Sequence, residues 1–80
     1  MDGMEQERIA VVGAGTMGRG IAYVCAVHGF RVRLQDVSEN ALRAARERIE
    51  ALLGESEAKG YIAPAQRERA LDLLSYHKIG

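Results

Sequence analysis

The sequence predicts an α/β fold, an incomplete doubly wound parallel sheet in which one β-α-β unit is followed by a pair of helices. Three observations predict it. An apolar run, Ile9-Ala10-Val11-Val12, breaks at Gly13, and Gly13, Gly15 and Gly18 then follow in the spacing G-x-G-x-x-G. A helical pattern begins at once, which supplies the crossover that parallel strands require. A second strand-like run, Phe30 to Gln35, then ends in an acid, Asp36. Strand, glycine turn, helix, strand and acid, in that order, is the setting in which a dinucleotide-binding loop is built.

The first strand is expected over Arg8–Val12. Its near-continuous apolar run suits a strand covered on both faces. Gly13 lets the chain turn sharply off that strand, where a Cβ would be penalised. Gly15 lets backbone approach a pyrophosphate with no side chain between, and Gly18 lets the following helix lie close on the sheet. That helix is expected from Thr16 to about His28. Met17, Ile21, Val24, Cys25 and His28 fall near one stripe at helical spacing, which reads as its apolar face. Gly20, Ala22 and Ala26 keep it slim, and Gly29 stands where a helix C-terminus favours glycine.

The chemistry follows from this geometry. The free N–H groups of the first helical turn, with the positive end of the helix dipole, would face the phosphates, so no cationic side chain is needed. Asp36 lies eighteen residues after Gly18. At a strand end its carboxylate can accept hydrogen bonds from a ribose 2′- and 3′-hydroxyl pair and would repel a 2′-phosphate. That points to NAD over NADP. Arg31 and Arg33 precede the acid and belong to the strand, and Val37, Ser38 and Glu39 offer no phosphate-binding arginine. Two other readings stay open: a tight turn that binds nothing, and an S-adenosylmethionine site, which also uses a ribose-binding acid. The third glycine favours the pyrophosphate.

Ser38 is a good N-cap and Glu39 puts an acid in the first turn of the next helix. This helix is expected from Glu39 to about Leu53, with Leu42, Ala45, Ile49, Leu52 and Leu53 buried. Gly54 is expected to disturb or end it, with Gly60 closing any continuation. Another helix starts at Pro64, with Ala70, Leu71 and Leu74 inward. Ser75 to Gly80 reads as a loose end. Cys25 reads as a small core residue, His28 as a structural residue in the last helical turn, and His77 carries no assignment. No residues stand at metal-ligand spacing.

The bulk properties exclude several classes. The chain has 80 residues, 48% of them hydrophobic, with eleven basic and eleven acidic side chains and a formal net charge of zero. That removes any general pull toward nucleic acid or an anionic membrane. Cys25 is the only cysteine, so no internal disulfide can form. Residues 1–7 are polar and acidic, unlike a signal peptide, and read as a disordered end. No apolar run approaches the ~20 residues of a membrane helix. A cytoplasmic setting is the expectation.

The wording Ile9-Ala10-Val11-Val12-Gly13-Ala14-Gly15-Thr16-Met17-Gly18-Arg19-Gly20-Ile21-Ala22, with Asp36 closing the second strand, resembles the NAD-binding start of the 3-hydroxyacyl-CoA dehydrogenase family. The helical pair with its Lys59-Gly60 turn is also similar, and the resemblance covers roughly residues 8 to 75. It implies that Gly13, Ala14, Gly15, Thr16, Met17 and Gly18 form the pyrophosphate loop and that Asp36 holds the adenosine ribose. It implies that Lys59 touches the coenzyme A part of the substrate. A hydroxyl-bearing position used beside it in some members falls at Leu52 here.

The family's reaction is reversible NAD-linked oxidation of a 3-hydroxyacyl-CoA to the 3-ketoacyl-CoA. Its catalytic His, its Glu and its substrate-holding Ser and Asn lie beyond these residues, so no catalytic residue is assigned. Residues 8–80 are thus expected to be a partial Rossmann-type NAD-binding domain. The C-terminal catalytic and dimerisation domain would be absent, and a homodimer is implied for the complete enzyme. A non-catalytic nucleotide-binding or interaction module, and a truncated relic, are the alternatives. A dehydrogenase of 3-hydroxyacids that does not use coenzyme A is the nearest rival among enzymes.

Overall fold

A computed structural model of the chain describes residues 7–80. Most of the expected disordered end, residues 1–6, lies outside them. The elements run β1 (Arg8–Val12), α1 (Thr16–Val27), β2 (Arg31–Asp36), α2 (Glu39–Ala58), α3 (Pro64–Leu73) and β3 (Leu74–Lys78). The strands form one parallel sheet in the order β1-β2-β3. Ile9 pairs with Val32 and Val11 with Leu34, while Val32 pairs with Leu74 and Leu34 with Tyr76.

The third strand corrects the sequence reading, which left Ser75 to Gly80 as a loose end. The chain passes from the last helical residue, Leu73, straight into strand at Leu74. No glycine or proline marks that junction, so the helical pattern of Ala70, Leu71 and Leu74 runs on through it. What stops the helix is pairing with β2. Leu74 is extended, with φ −92° and ψ 134°, and the Ser75 hydroxyl donates to the Val32 carbonyl at 3.3 Å. His77, unassigned from the sequence, pairs with Gln35. With β3 in place, β2 is the central strand and not an edge.

The core lies on one face of the sheet. Val11, Val32, Leu34 and Leu74 meet Ala22 and Ala26 of α1, Leu42, Ala45, Ile49 and Leu53 of α2, and Ala70 of α3. The opposite face carries Arg8, Ala10 and Val12 on β1 with Arg31, Arg33 and Gln35 on β2. Among the described residues no helix covers it.

Helix α1 turns a different side inward from the one the periodicity suggested. Its buried residues are Ala22 and Ala26, which continue from Gly18 at helical i, i+4 spacing. Met17 (79% exposed), Ile21 and Val24 face outward. The contact of Gly18 with Gly13 sets the rotation of the helix, and small residues allow the close approach. His28 is the C-cap, with its Nδ1 hydrogen donated to the Val24 carbonyl at 2.8 Å. Gly29 follows with φ 95°.

Helix α2 runs unbroken through Gly54. A glycine inside a helix costs about 1 kcal/mol relative to alanine. The turns beyond it are held by fully buried Leu53, by the Tyr23–Ser56 hydroxyl contact at 2.5 Å, and by Arg67 on Glu57 at 3.4 Å. The Ser38 hydroxyl accepts from the Ala41 N–H at 3.1 Å, the expected N-cap. Leu52, expected in the core, is only half-buried.

Candidate functional site

The site forms where β1, α1 and β2 converge. Gly13 has φ 103°, a region L side chains rarely adopt. Its N–H donates to the Gln35 carbonyl at 2.7 Å, which ties the turn to the neighbouring strand. A Cβ on Gly18 would overlap the carbonyl oxygen of Gly13. These two glycines are demanded by the fold itself.

Gly15 is different. It is the N-cap of α1 with φ −73°, which any residue can adopt, and a Cβ there would meet nothing within 4 Å. Neither backbone strain nor packing calls for glycine at this position. No side chain caps α1, so its first-turn N–H groups open toward the space in front of Gly15. That is a cradle for an anion that must touch backbone. Val12, Met17 and Ile21 form an apolar wall beside it.

Asp36 stands at the end of β2 and reaches across to the loop. Its Oδ2 accepts from the Ala14 N–H at 2.7 Å, and its Oδ1 accepts from the Ser38 N–H at 2.8 Å. The Ala14 bond, followed by those from Ser38 and Val37, holds its carboxyl below the usual carboxylate range. The group is therefore ionised at neutral pH, and each oxygen keeps lone-pair capacity for a further hydroxyl donor. One carboxylate thus links the loop, the strand end and the N-cap of α2.

The structure brings Gly13, Ala14, Gly15, Thr16, Met17, Gly18 and Asp36 together. It does not bring Lys59 to them. Lys59 is the exposed C-cap of α2, a 20-residue helix that starts beside Asp36 and is ~30 Å long. Sequence reasoning did not place Lys78, whose backbone stands opposite Asp36 in the register of β2 and β3, at the same end of the sheet. Its signal was hidden because the strand itself was not recognised.

This combination of fold and loop defines a dinucleotide-binding domain of the doubly wound class. Residues 8–79 match the family model described as 3-hydroxyacyl-CoA dehydrogenase, NAD binding domain. The chain belongs to that family. It is 43% identical over 68 residues to the 3-hydroxyadipyl-CoA dehydrogenase of Escherichia coli K12, covering 85% of this chain and 14% of that protein. It is 40% identical over 70 residues to the 3-hydroxybutyryl-CoA dehydrogenase of Mycobacterium tuberculosis H37Rv, covering 88% of this chain and 24% of that one.

Among solved structures it superposes on the 3-hydroxybutyryl-CoA dehydrogenase from E. coli K12 with a TM-score of 0.83 at 40% identity, over 91% of this chain and 16% of that chain. The chain therefore spans no more than about a quarter of the relatives it matches here. No helix among the described residues is long and apolar enough to cross a membrane.

Proposed function

We propose that residues 8–80 are the adenosine- and pyrophosphate-binding part of an NAD-dependent 3-hydroxyacyl-CoA dehydrogenase. The observation that carries this is Gly15, which stands at the uncapped N-terminus of α1 where neither backbone strain nor a neighbouring atom calls for glycine. In this reading the first-turn N–H groups of α1 beyond Ala14 bind the pyrophosphate, while those of Gly13 and Ala14 stay on Gln35 and Asp36; Met17 lies against the cofactor, and Asp36 accepts the ribose hydroxyls. The bound nicotinamide would supply the hydride acceptor. Lys59 binds the coenzyme A portion of the substrate at the far end of α2. The complete enzyme oxidises 3-hydroxyacyl-CoA to 3-ketoacyl-CoA, works in the cytoplasm and forms a homodimer. The 80-residue chain by itself has no dehydrogenase turnover.

The test is calorimetric titration with NAD, NADP and S-adenosylmethionine of the wild-type chain and of Gly15→Val. We expect NAD to bind better than the other two, and the valine to weaken NAD at least tenfold without changing the melting temperature. Equal affinity in the variant would remove the loop as the site. NADH formation from 3-hydroxybutyryl-CoA by the purified chain would refute the half-site assignment.

A further inference from the structure

The last strand brings a cation to the ribose acid. Asp36 and Lys78 are register partners at the carboxyl end of the sheet, with backbones about 4.8 Å apart. Val32 and Leu34 of β2 and Leu74 of β3 point into the core. Alternation along each strand therefore puts Asp36 and Lys78 on that same face, side by side at the strand ends. The Ile79 N–H donates to the Asp36 carbonyl at 3.0 Å, which fixes the backbone of Lys78 against the acid.

Neither charge is paired with the other. The Asp36 oxygens accept from backbone, Oδ2 from Ala14 and Oδ1 from Ser38. Those donors carry no formal charge, so the carboxylate keeps its full negative charge where a ribose 2′-hydroxyl would sit. That charge by itself would exclude a 2′-phosphate. Lys78 is exposed and makes no ion pair among the described residues. Its ammonium is a point charge on a flexible four-carbon stem, able to turn over the strand ends toward the same spot. The segment after β2 supplies no cation in Val37, Ser38 or Glu39. The first arginine of α2, Arg43, turns back to Asn40 on its own helix at 3.3 Å.

We propose that Lys78 is a specificity-determining residue of the cofactor site, whose ammonium meets a phosphate on the ribose 2′ position and lets the site take NADP where Asp36 alone would exclude it. This rests on the ribose-binding role given to Asp36 above. NAD remains the better ligand, because a 2′-phosphate still stands beside a carboxylate. The offset is a balance of charges in a site open to water, so it is strongest at low salt and screened at high salt. A neutral side chain at position 78 leaves the repulsion unopposed, and an arginine keeps the offset.

The test is calorimetric titration with NAD and with NADP, at low and at high salt, of wild type, Lys78→Gln, Lys78→Arg and Arg69→Gln. Lys78→Gln should raise the ratio of NAD to NADP affinity at least fivefold at low salt, through loss of NADP, and the rise should shrink at high salt. Lys78→Arg should stay within twofold of the wild-type ratio. Arg69→Gln, which removes an exposed charge from α3, should not move it. Lys78→Ala serves as a second neutral variant should the glutamine lower the melting temperature. An unchanged ratio in the neutral variants, equal loss of both nucleotides, a change that ignores salt, or no NADP binding to wild type would overturn the proposal and leave the NAD site standing. If neither nucleotide binds wild type, the NAD reading falls and this inference falls with it.

Discussion

The glycine loop and the α2–α3 excursion pack on the same sheet by opposite means. At the loop, contact is made by removing side chains: Gly18 lies against the Gly13 carbonyl, and Ala22 and Ala26 continue that close approach along α1. In the excursion, contact is made by supplying them: Leu42, Ile49 and Leu53 of α2 fill the space over β2 and β3. The first arrangement fixes backbone where a ligand must touch it. The second stabilises the sheet through side chains and sets no glycine against a ligand. Damage to the two regions should therefore differ in kind.

The largest effect is expected at Gly18. Gly18→Ala forces a methyl into the Gly13 carbonyl, which backbone cannot yield cheaply. We expect a loss of about 3 kcal/mol in urea unfolding, with NAD affinity lost as well, because the turn and the helix must separate. Ile49→Ala should cost a comparable amount or somewhat less, about 2–4 kcal/mol, since Ile49 is fully buried. Yet NAD affinity of the folded protein should hold within twofold. A large affinity loss in Ile49→Ala would erase the distinction between the regions. Next comes Ser38→Ala, which removes an N-cap and should cost about 1 kcal/mol in the same unfolding experiment.

The same contrast explains what was legible in the sequence. The loop was readable residue by residue, because Gly13 and Gly18 answer to backbone sterics that are the same in any such turn. The apolar face of α2 was readable because Leu42, Ala45 and Ile49 are large or central enough to show a period. The inward face of α1 was not. Its buried residues are alanines, and the eye follows the larger Met17, Ile21 and Val24, which point outward. Strand β3 was missed because Leu74 continues a helical stripe and only its partner, Val32, tells it to be strand. The closeness of Lys78 to Asp36 was invisible for a similar reason. The two are 42 residues apart in sequence and become neighbours only through register.

The smallest effect, and the one that joins both regions, is the pH response of Asp36. Its carboxylate accepts from Ala14 in the loop and from Ser38 at the head of α2. Those bonds favour the ionised form, so its folded pKa lies below its unfolded one. Stability from this group is therefore fully present above the unfolded value, near 4, and is lost as pH falls through the folded value. Because the group is open to water, the contribution is modest and screened. Asp36→Asn keeps one acceptor but cannot ionise, and its amide hydrogens would oppose one of the two backbone donors. Unfolding of the two proteins compared from pH 6 down to pH 2 should show wild type more stable above pH 4, with the gap narrowing steadily below it. A gap that stays constant through that range would mean that the charge of Asp36 does not hold the loop. The link between the ribose acid and the phosphate cradle would then rest on backbone contacts alone, such as that of Gly13 with Gln35.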